Sequence, residues 1–164
     1  MRHESQGLWQ SGGSRHDLSR PDHALDPARE PPLGAHLVTP RRGYTHHGIY
    51  VGRGRVVQYG GAFLGLRRGP VEEVALLQFA RGRAIWLRLE ESRQFDRDEV
   101  VHRARARLGE DRYSVLTNNC EHFCEWCVRG EPRSHQVDSL FARCCRARRG
   151  LVALSVAKLS AGEQ

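Results

Sequence analysis

The sequence lacks any long apolar run, which argues against a membrane-spanning helix. No window holds the roughly 18 uninterrupted apolar residues that a membrane-spanning helix needs. The first thirty residues also lack the apolar core of a secretory signal, so nothing in them signals export. We therefore expect a cytoplasmic protein.

Cysteine is absent from the first 119 residues, and all five cysteines follow in the last third of the chain. Five is an odd number, and the five lie too close together in sequence to cross-link a whole domain. We therefore expect reduced thiols. They are Cys120, Cys124, Cys127, Cys144 and Cys145.

Lysine is nearly missing as well, so arginine supplies almost all of the excess positive charge. The formal net charge is +7, and the arginines are scattered along the chain. This balance favours anionic partners such as phospholipid headgroups or nucleic acid without choosing between them. A genome biased toward arginine would produce the same composition.

Composition divides the chain into three parts. Residues 1–32 are polar with isolated apolar residues, which predicts a disordered arm. Residues 33–136 carry the periodic patterns of one folded domain. Residues 137–164 form a basic and then apolar tail, which suits either an amphipathic helix on a membrane surface or a helix docked on the domain itself.

Within the domain, alternating residues predict short strands near 36–38, at 45–52 and 55–61, and around Ile85. A short helix is predicted from Glu73 to Arg81. A second helix follows Asp96 as N-cap and ends at Gly109, with Leu108 on its apolar face. A third covers residues 120–129, between an N-cap at Asn119 and Gly130. The fold class is therefore α+β, with an antiparallel sheet packed against helices.

The segment "NNCEHFCEWC" allows three interpretations of its cysteines. A zinc knuckle would need a second ligand pair, and the adjacent Cys144 and Cys145 cannot easily turn toward one ion. A redox dithiol would stand at the helix start, a turn before Cys124 and Cys127. Only Cys120 occupies the first helical turn, where the helix terminus favours thiolate, so we interpret it as a nucleophile. No metal or cofactor is expected.

A thiol nucleophile needs a nearby base, and His122 points to the opposite side of the same helix. One of His46 and His47 faces the core in any register. If the hairpin "HHGIYVGRGRVVQY" has a three-residue turn, Gly48 opposes Gln58, and Gln58 lies on the same face as His46. A two-residue turn would move Gln58 to the other face, so the interpretation depends on the turn. The alternative is that both residues are ordinary polar residues of an edge strand.

These motifs resemble the lecithin retinol acyltransferase family, including the phospholipase A/acyltransferases called HRAS-like suppressors. The resemblance rests on "HHGIYVG", "VVQYGG" and "NCEHF", and is greatest to compact bacterial members. It implies a circularly permuted NlpC-type, papain-like fold with Cys120 as nucleophile, His46 as general base and Gln58 as third polar residue. Tyr44 and Asn119 are expected to support the site, Tyr44 as an oxyanion donor.

The implied reaction is thiol-dependent transfer or hydrolysis of phospholipid acyl esters through a thioester on Cys120. Relatives often have a second histidine where this chain has Gln58, which predicts reduced activity because an amide carries no charge. Partners would be a phospholipid substrate and a membrane surface, with no nucleic acid. The alternatives are a papain-like peptidase or amidase, and a lipid-binding module with a weakened site.

Overall fold

A computed structural model describes residues 22–61, 68–89 and 93–142. Six strands form one antiparallel sheet, and helices pack against it, which confirms the predicted α+β class. The strands are β1 Asp22–Ala24, β2 His36–Arg41, β3 Tyr44–Gly52, β4 Arg55–Gly61, β5 Arg68–Ala75 and β6 Trp86–Arg88. The helices are α1 Leu76–Ala80, α2 Arg97–Ala106 and α3 Cys120–Arg129, and residues 135–142 are the described part of a fourth, α4.

The strand order in the sheet is β1-β6-β2-β3-β4-β5. Strands β2 to β5 therefore form a meander, in which each strand pairs with its neighbour in sequence. The central strand β3 reads "YTHHGIYVG", and residues 46–51 are all buried. Both faces of the sheet are consequently covered at this strand, and the strand that carries the histidines is the one most enclosed.

The hairpin between β3 and β4 brings Gly48 opposite Gln58, as the sequence predicts, but its turn differs from the predicted three-residue turn. The turn has two residues, Arg53 and Gly54, both at positive φ (53° and 65°). Arg55 pairs with Gly52 rather than with Val51, and the register then shifts between Tyr50 and Gly52. This bulge adds one residue to β3 and restores the predicted register beyond it.

The predicted helix from Glu73 to Arg81 is wrong in its first half. Residues up to Ala75 belong to β5, where Glu72 pairs with Gln58, and only Leu76–Ala80 is helical. The glutamates favoured a helix locally, but pairing with β4 decides the conformation. Arg81, in the left-handed region at φ 50°, ends the helix.

The other two predicted helices are confirmed together with their caps. Asp96 accepts a hydrogen bond from the Glu99 N–H at 2.8 Å and begins α2. This helix ends at Ala106, however, and Leu108 is 43% exposed rather than part of the apolar face. Asn119 caps α3, and Gly130 ends it at φ 78°.

Two apolar clusters lie on opposite faces of the sheet. The first packs α2 and α3 onto Ile49, Val57 and Tyr59, and it includes one face of α3. The second packs Phe79 of α1 near Leu37, Tyr50 and Val56. The members of the α3 face are Cys120, Phe123, Cys124, Cys127 and Val128, all buried. Cys124 and Cys127 are thus core residues.

The remaining segment predictions reach beyond the described residues. The arm predicted at 1–32 lies mostly outside them, although β1 falls within it and belongs to the sheet. The tail predicted at 137–164 is described only as far as residue 142, and Cys144 and Cys145 lie beyond. In the described part of the chain, no helix is long and apolar enough to span a lipid bilayer.

Candidate active site

His46 and Gln58 meet as the hairpin register predicts. His46 Nε2 lies 2.8 Å from Gln58 Oε1, and both side chains are buried. They lie on the α1 face of the sheet, where the His46 ring is 5.4 Å from the Phe79 ring between centroids. With Nε2 engaged by Gln58, the second ring nitrogen, Nδ1, remains to act on another group.

Gly48 explains how these residues fit under α1. A Cβ at this position would stand 2.6 Å from Val56 Cγ1 and 2.9 Å from Phe79 Cε2. Here the missing side chain admits Phe79, so the glycine serves packing beside His46.

Cys120 packs in the apolar cluster on the α3 face of the sheet, and its sulfur contacts the main chain of β3. The Tyr50 N–H donates toward β2, to Ala35 at 2.9 Å, and backbone groups alternate in direction along an antiparallel strand. The His47 N–H therefore points the other way, toward β4, but the pairing with β4 ends at Gly48. The Cys120 sulfur accepts that N–H instead. The nucleophile candidate thus lies against the main chain of residues 46 and 47.

Burial favours the uncharged forms of both Cys120 and His46 at neutral pH. It raises the pKa of Cys120 to about 11, although N–H groups of His47 and Glu121 act to lower it. It lowers the pKa of His46 to about 4, against the Gln58 hydrogen bond, which acts to raise it. The expectation that the helix terminus favours a thiolate at Cys120 is therefore wrong, because desolvation of a sulfur that is 3% exposed outweighs it.

Asn119 holds the start of α3 from several sides. Its Oδ1 accepts the N–H groups of Glu121 and His122 at 2.9 and 3.0 Å. Its Nδ2 donates to the Val115 carbonyl at 2.9 Å and to Ser134 Oγ at 3.2 Å. His122 Nδ1 accepts the Asn119 N–H at 3.3 Å. His122 is thus part of the cap, in keeping with its exclusion as the base.

Glu121 is a site residue that the sequence reasoning missed. It is completely buried next to the nucleophile candidate and binds Arg88 Nη1 at 2.9 Å and Ser134 Oγ at 2.8 Å. Burial acts to raise its pKa, but His47, Gln136, Arg88 and Ser134 hold the pKa well below its usual value. The carboxylate ties α3 to β6 and to the start of α4. An acidic residue at the second position of a capped helix was the available signal.

His47 belongs to a separate buried network on the α3 face. Its Nδ1 lies 2.8 Å from His36 Nε2, and its Nε2 lies 3.0 Å from Thr45 Oγ1 and 3.2 Å from Gln136 Nε2. Burial lowers the pKa of His47 well below its usual value. The sequence left open which of the two histidines is the candidate base. His47 is held by hydrogen bonds of the buried network, whereas His46 is the one bound to Gln58.

Tyr44 stands at the start of β3, with its ring 6.4 Å from the His46 ring in an edge-to-face arrangement. Tyr44 and His46 thus lie on β3, and Gln58 lies on the neighbouring strand β4. Asn119 directly precedes Cys120. Among the described residues, no group of three or more His, Cys, Asp or Glu side chains is arranged to hold a metal ion.

A cysteine at a helix start, against a strand that carries an amide-bound histidine, defines the class of thiol and imidazole sites suited to acyl transfer. The sequence profile of the family described as lecithin retinol acyltransferase matches residues 29–133. The chain belongs to this family.

The chain is similar to mammalian lecithin retinol acyltransferases. Lecithin retinol acyltransferase of Homo sapiens is 35% identical over 129 residues, and that of Bos taurus is 33% identical over 129 residues. The match to Rattus norvegicus lecithin retinol acyltransferase is 32%. Each match covers 62% of this chain and 56% of the relative, so this chain spans little more than half the length of these relatives.

Proposed function

We propose that this chain is a cysteine-dependent acyltransferase or phospholipase A-type hydrolase that acts on acyl esters of phospholipids. The family membership supports an acyl-transfer reaction, and the relatives' name contains a phospholipid, lecithin. The observation that carries the proposal is the pairing of His46 with Gln58 at 2.8 Å beside the strand residue whose N–H binds the Cys120 sulfur.

In the first half-reaction, Cys120 attacks the ester carbonyl carbon while its proton passes to His46 Nδ1. The negative oxygen that forms is held by the Cys120 N–H, which the Asn119 side chain does not use, and by Tyr44 as second donor. Collapse of this intermediate breaks the ester bond and leaves the acyl group on sulfur as a thioester. The departing lysophospholipid alcohol takes the proton back from His46.

In the second half-reaction, His46 removes a proton from the acceptor as the acceptor attacks the thioester. Water as acceptor gives a fatty acid, whereas an alcohol or amine gives an acylated product. Both routes return the proton to the Cys120 sulfur. Because the resting thiol and imidazole are neutral, proton transfer accompanies bond formation in each half.

We also propose that the protein works at a membrane surface. Val115 and Leu116 are 44% and 54% exposed on the loop that Asn119 ties to the nucleophile, and Leu140 and Phe141 are 52% and 55% exposed on α4. With a net charge of +7, these apolar residues suit an anionic lipid surface.

The test is a reaction of the purified protein with phosphatidylcholine vesicles, with and without a small alcohol or amine acceptor. Mass spectrometry of the lipids should show a lysophospholipid, and that of the protein should show one acyl chain on Cys120 that hydroxylamine removes. Cys120→Ala should abolish both products. Cys124→Ala, from the same helix face, is the matched control and should retain them.

A labelled peptide that traps Cys120 where the phospholipid does not would favour a peptidase or amidase. Vesicle binding that persists in Cys120→Ala, with no product from the unchanged protein, would favour a lipid-binding module. Either result would overturn the proposed reaction.

A further inference from the structure

A third side chain continues the line from His46 through Gln58. Gln58 Nε2 donates to Glu72 Oε1 at 3.0 Å, while Gln58 Oε1 lies 2.8 Å from His46 Nε2. Gln58 and Glu72 are direct partners across β4 and β5. The three side chains therefore form one hydrogen-bonded row across β3, β4 and β5.

Chemistry fixes the direction of every bond in this row. A carboxylate accepts hydrogen bonds and donates none, so the Gln58 NH₂ group must face Glu72. The Gln58 carbonyl oxygen must then face His46. A carbonyl only accepts, so His46 Nε2 carries the hydrogen, and Nδ1 has the free electron pair that a base needs.

The reversed amide is disfavoured for a stated reason. It would present the Gln58 oxygen to the Glu72 oxygen at 3.0 Å, where neither atom can donate. It would also present NH₂ to His46 Nε2, which would move the ring hydrogen to Nδ1 and remove the base. A carboxylate in place of Gln58 could only accept from His46, whereas the amide has two possible orientations, and the hydrogen bond to Glu72 selects the one that turns the Gln58 oxygen toward His46.

The backbone beside Glu72 is shaped to admit its carboxylate. A Cβ on Gly60 would lie 2.9 Å from both Cδ and Oε1 of Glu72. The next residue, Glu73, binds Arg55 Nε at 3.3 Å and Arg105 Nε at 3.2 Å instead. The two neighbouring carboxylates thus serve different partners, and only Glu72 is directed to the His46 row.

We propose that Glu72 is a positioning residue that acts through Gln58 to hold His46 in the tautomer with a hydrogen on Nε2. The kinetic part of this inference rests on the proposed acyl-transfer function, whereas the tautomer itself is a property of the free protein. Glu72 touches no reacting atom. Its removal should therefore change which ring nitrogen of His46 carries the hydrogen and leave substrate binding unchanged.

Nitrogen-15 NMR of the imidazole rings tests the tautomer without any substrate. His46, assigned through the signals lost in His46→Gln, should show a protonated Nε2 and an unprotonated Nδ1 at neutral pH. Glu72→Leu should add the opposite tautomer, and Glu73→Gln should not. Unchanged His46 signals in Glu72→Leu would overturn the proposal, and this readout holds even if phospholipids are not the substrates.

Kinetics provides the second test, with a substrate that the protein turns over. Glu72→Leu should lower kcat roughly ten- to hundredfold with little change in KM, since a charge-assisted hydrogen bond that orients the base is lost. Glu72→Gln, which can still present an oxygen to Gln58, should recover part of the rate. Glu73→Gln should retain the full rate.

A double substitution separates positioning from folding. In a Gln58→Glu background, the new carboxylate can only accept from His46, so Glu72 is no longer needed and even repels it. Glu72→Leu should then leave kcat unchanged or raise it. An equal loss in both backgrounds would show that Glu72 merely supports the fold, and the proposal would be wrong.

Discussion

Alkylation of Cys120 as the pH is raised tests the charge state of the resting site. The pKa values of about 11 for Cys120 and about 4 for His46 differ by 11 − 4, or about 7 units. At 1.36 kcal/mol per unit, moving the proton from sulfur to imidazole before reaction costs at most on the order of 10 kcal/mol, since attraction between the resulting charges offsets part of that cost. At pH 7 only about one molecule in 10⁴ would carry the thiolate.

The rate of alkylation by iodoacetamide should therefore rise about tenfold per pH unit between pH 6 and 9, without a plateau. Fragmentation mass spectrometry assigns the label within the helix. Cys127, whose pKa burial raises to about 12, should react later. His46→Gln should leave the slope unchanged, because a neutral imidazole contributes no charge to the resting thiol.

The unfolded protein in guanidinium is the control, since its thiols regain their ordinary behaviour. A plateau with an apparent pKa below 8 in the folded protein, lost in His46→Gln, would refute the neutral pair. Such a result would mean that the site forms a thiolate and imidazolium before substrate arrives, as the sequence alone suggested. In the neutral case, activity should fall on the acid side only as the pH approaches 4, where His46 takes up a proton.

Three further outcomes are expected. Glu121→Gln should lower the free energy of unfolding in urea by about 2–3 kcal/mol, because buried Arg88 loses its nearer carboxylate partner and keeps Asp22 at 3.4 Å. Glu131→Gln, at a side chain 73% exposed, should change the free energy of unfolding by less than about 0.5 kcal/mol. Similar losses in the two variants would contradict the role given to Glu121. Gly48→Ala should lower the thermal midpoint, at a cost of about 1–3 kcal/mol for overpacking, and an unchanged midpoint would mean that α1 adjusts freely. Gln58→His should raise kcat because an imidazole can share the charge that develops on His46, and a fall would show that the amide is specifically suited to this site.

Local signals predicted the site partners but not their environment. The caps at Asp96 and Asn119 are short-range hydrogen bonds, so residue type and spacing were sufficient to find both helices. The partnership of His46 and Gln58 follows from strand periodicity once the register is known. The register itself came out correctly although the turn did not, because the bulge near Val51 compensates for the shorter loop.

Long-range packing decided what the sequence could not. Cys120 is buried because α3 packs against β3. No local sequence pattern predicts how much solvent this contact excludes. Residues 73–75 were predicted as the start of a helix from their local propensity, but in the structure pairing with β4 outweighs that propensity and makes them a strand. Glu72 was not connected to the site either, because its partner Gln58 is fourteen positions away in sequence and the pairing of β4 with β5 was not predicted.

The hydrogen bond from the His47 main chain to sulfur gives this protein a built-in spectroscopic reporter. Thioester sulfur is a weaker acceptor than a thiol or thiolate, so acylation should weaken that bond and move the amide resonance of His47 upfield. One backbone signal would then count acylated molecules during turnover, without a label on lipid or protein.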